Sequence, residues 1–247
     1  MFVSASSKCF QDKSFPEACQ QLADLGYDKI ELWLDENSEH LKPSEVASAP
    51  DRFFIQYREM TRMTPVGLCL DQDAPQEVFE GLCRLAKMLK ITQITLPAAP
   101  VGTPFNEEID RLRNRLAAAN FSGIRLSLKT KTGFLTEDPQ TAVELCHSVP
   151  GLGITYDPSY YICGRFANQS HDQIFPYVYH THLRDTLPSS LQVAVGLGEI
   201  DYSRIIGQLR RYNFGRALSI EIIPSLLNGN DRSLELRKIR MLLETLL

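Results

Sequence analysis

The chain has little of what marks several large functional classes. Its apolar runs are short, as in Leu116–Ala119, far below the roughly 18 residues of a membrane helix. No membrane span is therefore expected. Its six cysteines, Cys9, Cys19, Cys69, Cys83, Cys146 and Cys163, include no CxxC pair, which argues against a structural zinc site or a thioredoxin-like motif. They are too sparse for a disulfide scaffold, and buried thiols in a reducing compartment are the expectation. The opening MFVSASSKCF lacks a basic stretch followed by an apolar one, so no secretory leader and a cytoplasmic protein are expected. A single charge sign is missing too. Net charge is −4, from 26 basic and 30 acidic residues, which leaves no footprint for nucleic acid. The cluster Arg111, Arg113, Arg115 is expected to be a solvated helix face.

What recurs is an alternation of short apolar runs with amphipathic stretches. The runs predict strands at Phe2–Ser4, Lys29–Leu32, Pro65–Leu70, Gln93–Leu96, Arg125–Leu128, Gly153–Tyr156, Val178–His182 and Ala217–Glu221. Helices are predicted at Phe15–Leu25, Asp51–Met60, Gln76–Leu89, Glu107–Asn120, Pro139–Cys146, Ser170–Phe175, Tyr202–Tyr212 and Leu234–Leu247. The first starts after Ser14, a capping residue, and stops at Gly26. Eight β/α repeats in 247 residues predict an α/β protein, a (β/α)8 TIM barrel forming one domain over residues 1–247. A doubly wound sheet is the alternative, but no GxGxxG follows the first strand.

In such a barrel, chemistry sits where strands end. Those positions hold Ser6–Cys9, Glu31–Trp33, Asp71, Pro97, Lys129, Asp157, His182 and Glu221. Asp157, His182 and Glu221 end consecutive strands, and one imidazole with two carboxylates suits Zn, Mn or Fe. His180 lies two residues before His182 and faces the same side of its strand. It is either a substrate group or a satisfied core histidine. Trp33 is either pocket lining or packing. Arg184 and Asp185 are expected to form loop ion pairs, and Asp201 to cap a helix. The Gly196, Gly198, Glu199 loop is either a phosphate cradle or a turn. His40, His147 and His171 are expected at the surface.

Five segments resemble the xylose isomerase-like barrels, which include sugar phosphate isomerases/epimerases and endonuclease IV relatives. LADLGYDKIELW (residues 22–33) resembles the family's "lGfdgIELw", GITYDPSY (153–160) its "glllDtgH", and YHTHLRD (179–185) its "vHvHlkD". VGLGEID (195–201) resembles "plGeGeid" and ALSIE (217–221) the final "lslE". The resemblance implies a xylose isomerase-like fold and a divalent metal (Mn, Zn or Mg) held by Glu, Asp, His and Glu at the ends of strands five to eight. It further implies proton transfer beside a substrate carbonyl by the carboxylates of strands five and eight. Asp157, His182 and Glu221 match the ligand pattern. Strand five ends instead in Lys129, Tyr160 replaces the His of "DtgH", and Asp71 stands where relatives often carry His.

Lys129 is the consequential departure. An ammonium about 4 Å from a unit positive charge is repelled by roughly 4 kcal/mol at an effective dielectric near 20, and by about twice that from a divalent ion. Either Lys129 fills the cation's position and pairs with Asp157 and Glu221, or it snorkels to solvent. The favoured reading is an enzyme of carbohydrate metabolism, a sugar or sugar-phosphate isomerase/epimerase. Glu221 is its ligand and base, Lys129 its acid or electrophile, Asp157 and His182 its further metal ligands. Glu31, Trp33, Tyr160 and His180 are the substrate-binding candidates. The alternative is a metal-free, non-catalytic ligand-binding relative. Schiff-base chemistry at Lys129 is a third reading, opposed by carboxylates that would stabilise its ammonium. The expected partner is a small-molecule sugar or polyol. Leu242, Leu243, Leu246 and Leu247 on the last helix also leave room for a homodimer.

Overall fold

The computed structural model describes every residue except Asn168. Eight parallel strands close into a barrel in chain order: β1 (Phe2–Ser6), β2 (Lys29–Leu34), β3 (Thr64–Leu70), β4 (Gln93–Pro97), β5 (Arg125–Lys129), β6 (Gly153–Tyr156), β7 (Val178–Leu183) and β8 (Ala217–Ile220). The predicted strands fall on these within a few residues. Closure is made by β1 on β8, with Phe2 opposite Ala217 and Ala5 opposite Ile220. Around the ring lie α1 (Phe15–Asp24), α2 (Pro43–Ser48), α3 (Pro50–Met60), α4 (Gln76–Met88), α5 (Phe105–Phe121), α6 (Pro139–Ser148), α7 (Ser159–Ile162), α8 (Tyr202–Arg211) and α9 (Arg232–Leu246). No helix among the described residues is long and apolar enough to cross a membrane.

Local chemistry sets the helix ends. Glu17 accepts the Ser14 backbone N–H at 3.0 Å and its hydroxyl at 2.7 Å, which satisfies donors the first turn of α1 leaves free. After α1, Gly26 takes φ +85°, a left-handed conformation that glycine adopts without a Cβ penalty. Asp201 accepts the Arg204 N–H at 2.8 Å and caps α8, the structural job expected of it. Gly81 lies where α4 meets α2: a Cβ there would come within 2.6 Å of the Ala47 carbonyl.

Two expectations fail. The segment predicted as the helix Ser170–Phe175 is a 3-10 turn over Asp172–Tyr177 that contains Pro176; proline lacks the N–H an α-helix needs. The arginine cluster is not a solvated face. Arg115 is buried, with its guanidinium on Asp73, Gln76 and the Ala74 carbonyl, and Arg111 is clamped by Glu108 and Asp73; Arg113 alone is exposed. On α9, Leu243 is buried in the core, whereas Leu242 and Leu247 stay exposed. All six cysteines are free thiols; five are buried and Cys163 is half-buried.

Candidate functional site

Side chains of successive residues on a strand point to opposite faces. Leu126, Leu128, Ile154, Tyr156, Leu218 and Ile220 therefore pack outward in the apolar core, and their neighbours point into the barrel. TIM-barrel interiors are dominated by branched apolar residues. This one is polar, and it is stacked in layers.

The deepest layer is a hydroxyl and amide network: Gln93 donates to Ser127 at 2.5 Å, and Thr155 bonds Ser127 at 2.5 Å and Thr95 at 2.7 Å. Above it, Glu31 on β2 is fully buried and accepts from His180 Nε2 (2.9 Å), His182 Nε2 (2.8 and 2.9 Å) and Ser219 Oγ (2.7 Å). His180 and Glu31 are thus groups of the barrel interior, where each satisfies the other.

The third layer holds the strand-end residues. Lys129 Nζ lies 2.5 and 2.8 Å from the two Glu221 oxygens. Arg184, fully buried, donates through Nη2 to Asp157 Oδ2 and Glu221 Oε1, both at 2.8 Å. Its Nε reaches the Glu221 carbonyl at 2.8 Å and its Nη1 the Ser159 hydroxyl at 2.5 Å. The Ser159 hydroxyl in turn donates a hydrogen bond to Asp157 Oδ1. The expected Lys129–Asp157 pair is therefore corrected. Asp157 is taken by Arg184 and Ser159, which leaves the Glu221 oxygens to Lys129. Arg184 forms no loop ion pair; it is the bridge of the cluster. Its signal was in the sequence: 180, 182 and 184 share one face at period two.

Two cations face two carboxylates in this layer. Burial alone would push Glu221 up, but His182, Lys129, Lys8 and Arg184 hold its pKa well below the usual carboxylate range. Glu31 is likewise lowered against its burial by His182 and His180. Burial would lower Lys129, yet Glu221 foremost raises it above the usual lysine value. The depressed carboxylates add stability that is fully present above about pH 4.3, their unfolded value, and lost as pH falls through the folded one; the raised Lys129 adds stability present below about pH 10.4 and lost as pH rises through its folded value. The urea midpoint is expected to fall steeply below about pH 4.3. A midpoint that rises on acidification from about pH 5 to 3 would contradict the ionised cluster.

At the rim, Trp33 is buried but not merely packing: its Nε1 donates to Asp71 at 3.1 Å. Asp71 also accepts from Lys8 at 2.5 Å, and Lys131 stands 3.9 Å away. Burial opposes the ionised Asp71, but Lys8 and Lys131 lower its pKa. Lys131 itself is lowered by burial and by the repulsion of Lys8 and Lys129. The Tyr160 ring lies under Arg184, 5.5 Å from the guanidinium carbon.

Other expectations resolve as structure. Asp185 accepts the N–H groups of Gly196 (2.7 Å) and Gly198 (3.1 Å), so this loop is a turn with those amides already used, not a phosphate cradle. His40 is buried, not at the surface: its Nδ1 donates to the Lys13 carbonyl and its Nε2 accepts from Ser7, both at 2.9 Å. His147 is more than half exposed, while His171 is half-buried against Tyr161. The Cys9 thiol, pushed up to about 12 by burial, bonds the Ile220 carbonyl and the Ile222 N–H. It is a strut, not a nucleophile.

Among the described residues, two groups bring ligand atoms within 4.8 Å of one another: Glu31, His180, His182 and Cys69, His182, Glu221. His182 Nδ1 is buried, without a hydrogen-bond partner, 3.3 Å from Glu221 Oε2, and would suit an ion. The oxygens it faces do not. Those of Glu221 and Asp157 are occupied by the nitrogens of Lys129 and Arg184, and those of Glu31 by two imidazoles and a hydroxyl. The divalent ion implied by the resemblance does not fit this set of side chains.

A family model, the xylose isomerase-like TIM barrel, matches residues 19–240. Among solved structures, the chain is similar to a xylose isomerase-like TIM barrel protein from Mycobacterium smegmatis crystallised with magnesium (15% identity, TM-score 0.77, covering 99% of this chain and 95% of that one). It is also similar to D-allulose 3-epimerase from Methylomonas sp. (13%, 0.73, 100% and 98%) and to the probable 3-DHS dehydratase of petrobactin synthesis from Bacillus anthracis (18%, 0.70, 99% and 99%). Identities this low speak for the fold. Among curated proteins, none matches the chain.

Proposed function

The chain belongs to the xylose isomerase-like TIM barrel family, and from that premise we propose that it is a metal-independent member which binds a small sugar or polyol at the barrel mouth. One observation carries this reading: the Lys129 ammonium rests on both oxygens of Glu221, at 2.5 and 2.8 Å, while Arg184 ties the same carboxylate to Asp157. The positive charge a divalent ion would bring is built into the chain. The same contacts weaken Glu221 as a base, because a buried carboxylate that accepts from two cations binds a further proton poorly.

Isomerase or epimerase chemistry is the second reading. It is favoured by Lys129, whose side chain keeps 7% exposure while Asp157, Glu221 and Arg184 keep none. An ammonium at that position can donate to a substrate carbonyl oxygen and stabilise charge developing there. A D-allulose 3-epimerase of this fold has been crystallised with D-allulose, which supports a sugar as the ligand class.

Calorimetry with a panel of ketoses and polyols, in EDTA and then in Mn2+, together with NMR of the sugars in D2O, separates the two. Saturable binding indifferent to EDTA, with no deuterium entering the carbon beside the carbonyl, is the expected result. Deuterium incorporation in EDTA would give the protein to the isomerase reading. Binding or exchange that appears only with Mn2+ would overturn both.

A further inference from the structure

The rim above the buried cluster has a charge imbalance that the cluster does not explain. Lys8 and Lys131 both face one carboxylate, Asp71, and only Lys8 bonds it: 2.5 Å, against 3.9 Å for Lys131. The longer distance is beyond hydrogen-bond reach. A lysine at a rim ordinarily extends its ammonium into water. Lys131 instead folds inward, 26% exposed, with Nζ 4.9 Å over the Phe134 ring. The π-face offsets part of its lost hydration but supplies no anion. Lys8 in turn lies 5.0 Å over Trp33, whose N–H is already committed to Asp71. Two half-buried ammoniums and one carboxylate leave a single positive charge at the entrance, on the loop two residues beyond Lys129, the last residue of β5.

We propose that this rim is an anion subsite: Lys131, with Lys8, binds the phosphate or carboxylate group of a small polyol whose hydroxyls lie against Lys129 and Tyr160. The proposal deepens the ligand-binding reading and rests on it, since it assigns the ligand an acidic group. The ligand's anion supplies the partner that Lys131 lacks, and Asp71 holds Lys8 and Trp33 in place beside it.

Trp33 is the only tryptophan in the chain, so its fluorescence reports on the rim alone. The test titrates the full-length protein with inorganic phosphate, gluconate and glucose at constant ionic strength, with NaCl as the control. A saturable Trp33 response to phosphate or to gluconate, at least about tenfold tighter than any to glucose, is expected; phosphate against gluconate decides which acid is recognised. Lys131→Gln, with an unchanged circular dichroism spectrum, should abolish that preference, and Lys131→Arg should keep most of it. Glucose binding as tightly as the anions, or a preference that survives Lys131→Gln, overturns the subsite and leaves the ligand-binding reading standing. No response to any of the three, combined with failure of the sugar panel in calorimetry, overturns both.

Discussion

Replacing Arg184 by methionine is expected to lower stability strongly. The guanidinium is fully buried and makes four bonds, to Asp157, to Ser159, and to the carboxylate and carbonyl of Glu221. Methionine roughly fills the volume, so the cost is electrostatic: two buried carboxylates are left with Lys129 alone. Removing one partner of a buried pair costs about 3–5 kcal/mol. For a chain of this size, a kcal/mol corresponds to roughly 2–4 °C, so a fall of about 6–20 °C in the unfolding midpoint is expected by calorimetry. Arg184→Lys should recover only part of it, because an ammonium cannot reproduce the planar fork that reaches two acids and a hydroxyl at once. Adding Asp157→Asn to Arg184→Met should recover more than Arg184→Lys, since Lys129 then faces the single carboxylate of Glu221 and no uncompensated charge remains. A drop under about 2 °C for Arg184→Met would show that the cluster does not bear on stability.

The strands were legible because burial on both faces leaves short apolar runs, and eight such runs separated by helical stretches admit few folds. The membership of the site was legible for a related reason: strand ends of a closed parallel barrel converge whatever their sequence. Which groups pair was not. Lys129 and Asp157 sit on neighbouring strands, and proximity in the ring suggests a bond. Yet Arg184, from β7 between them and Glu221, reaches both acids, and with Ser159 it saturates Asp157. The choice depends on the reach of long side chains, which spacing does not encode. Arg184 was passed over because it follows the last predicted residue of its strand; β7 in fact runs to Leu183, and the alternation that aims His180 and His182 inward simply continues. His40 shows the converse. A histidine in a loop reads as exposed until tertiary packing brings Ser7 and the Lys13 carbonyl to its two nitrogens. Lys8 and Lys131 left no signal of their own, since surplus charge at a rim becomes visible only when distances are known.

Lys129→Glu is the change that should convert this site into one that needs an ion. Two cations against two carboxylates become one cation against three, a deficit of two charges in a buried layer. Water cannot relieve it: Glu221, Asp157 and Arg184 have no exposure. Without added metal, the variant should therefore be destabilised at least as strongly as a broken buried pair, by about 3–5 kcal/mol, a loss of roughly 6–20 °C. One divalent cation matches the deficit, and His182 Nδ1, buried and without a hydrogen-bond partner, 3.3 Å from Glu221, offers the nitrogen ligand that completes an acidic set. Mn2+ at about 100 times its Kd would return about 2.7 kcal/mol, so most of the lost midpoint should reappear on titration with Mn2+ and vanish with EDTA. The parent protein, its charge already balanced by Lys129, should unfold at the same temperature in both. Protonation of the new carboxylate is the competing relief, and pH separates the two: a metal-dependent rescue strengthens as pH rises, because a carboxylate ligand must be ionised to hold the ion, whereas relief by protonation weakens. If Mn2+ stabilised the parent and left the variant unchanged, Lys129 would not be standing in the ion's position.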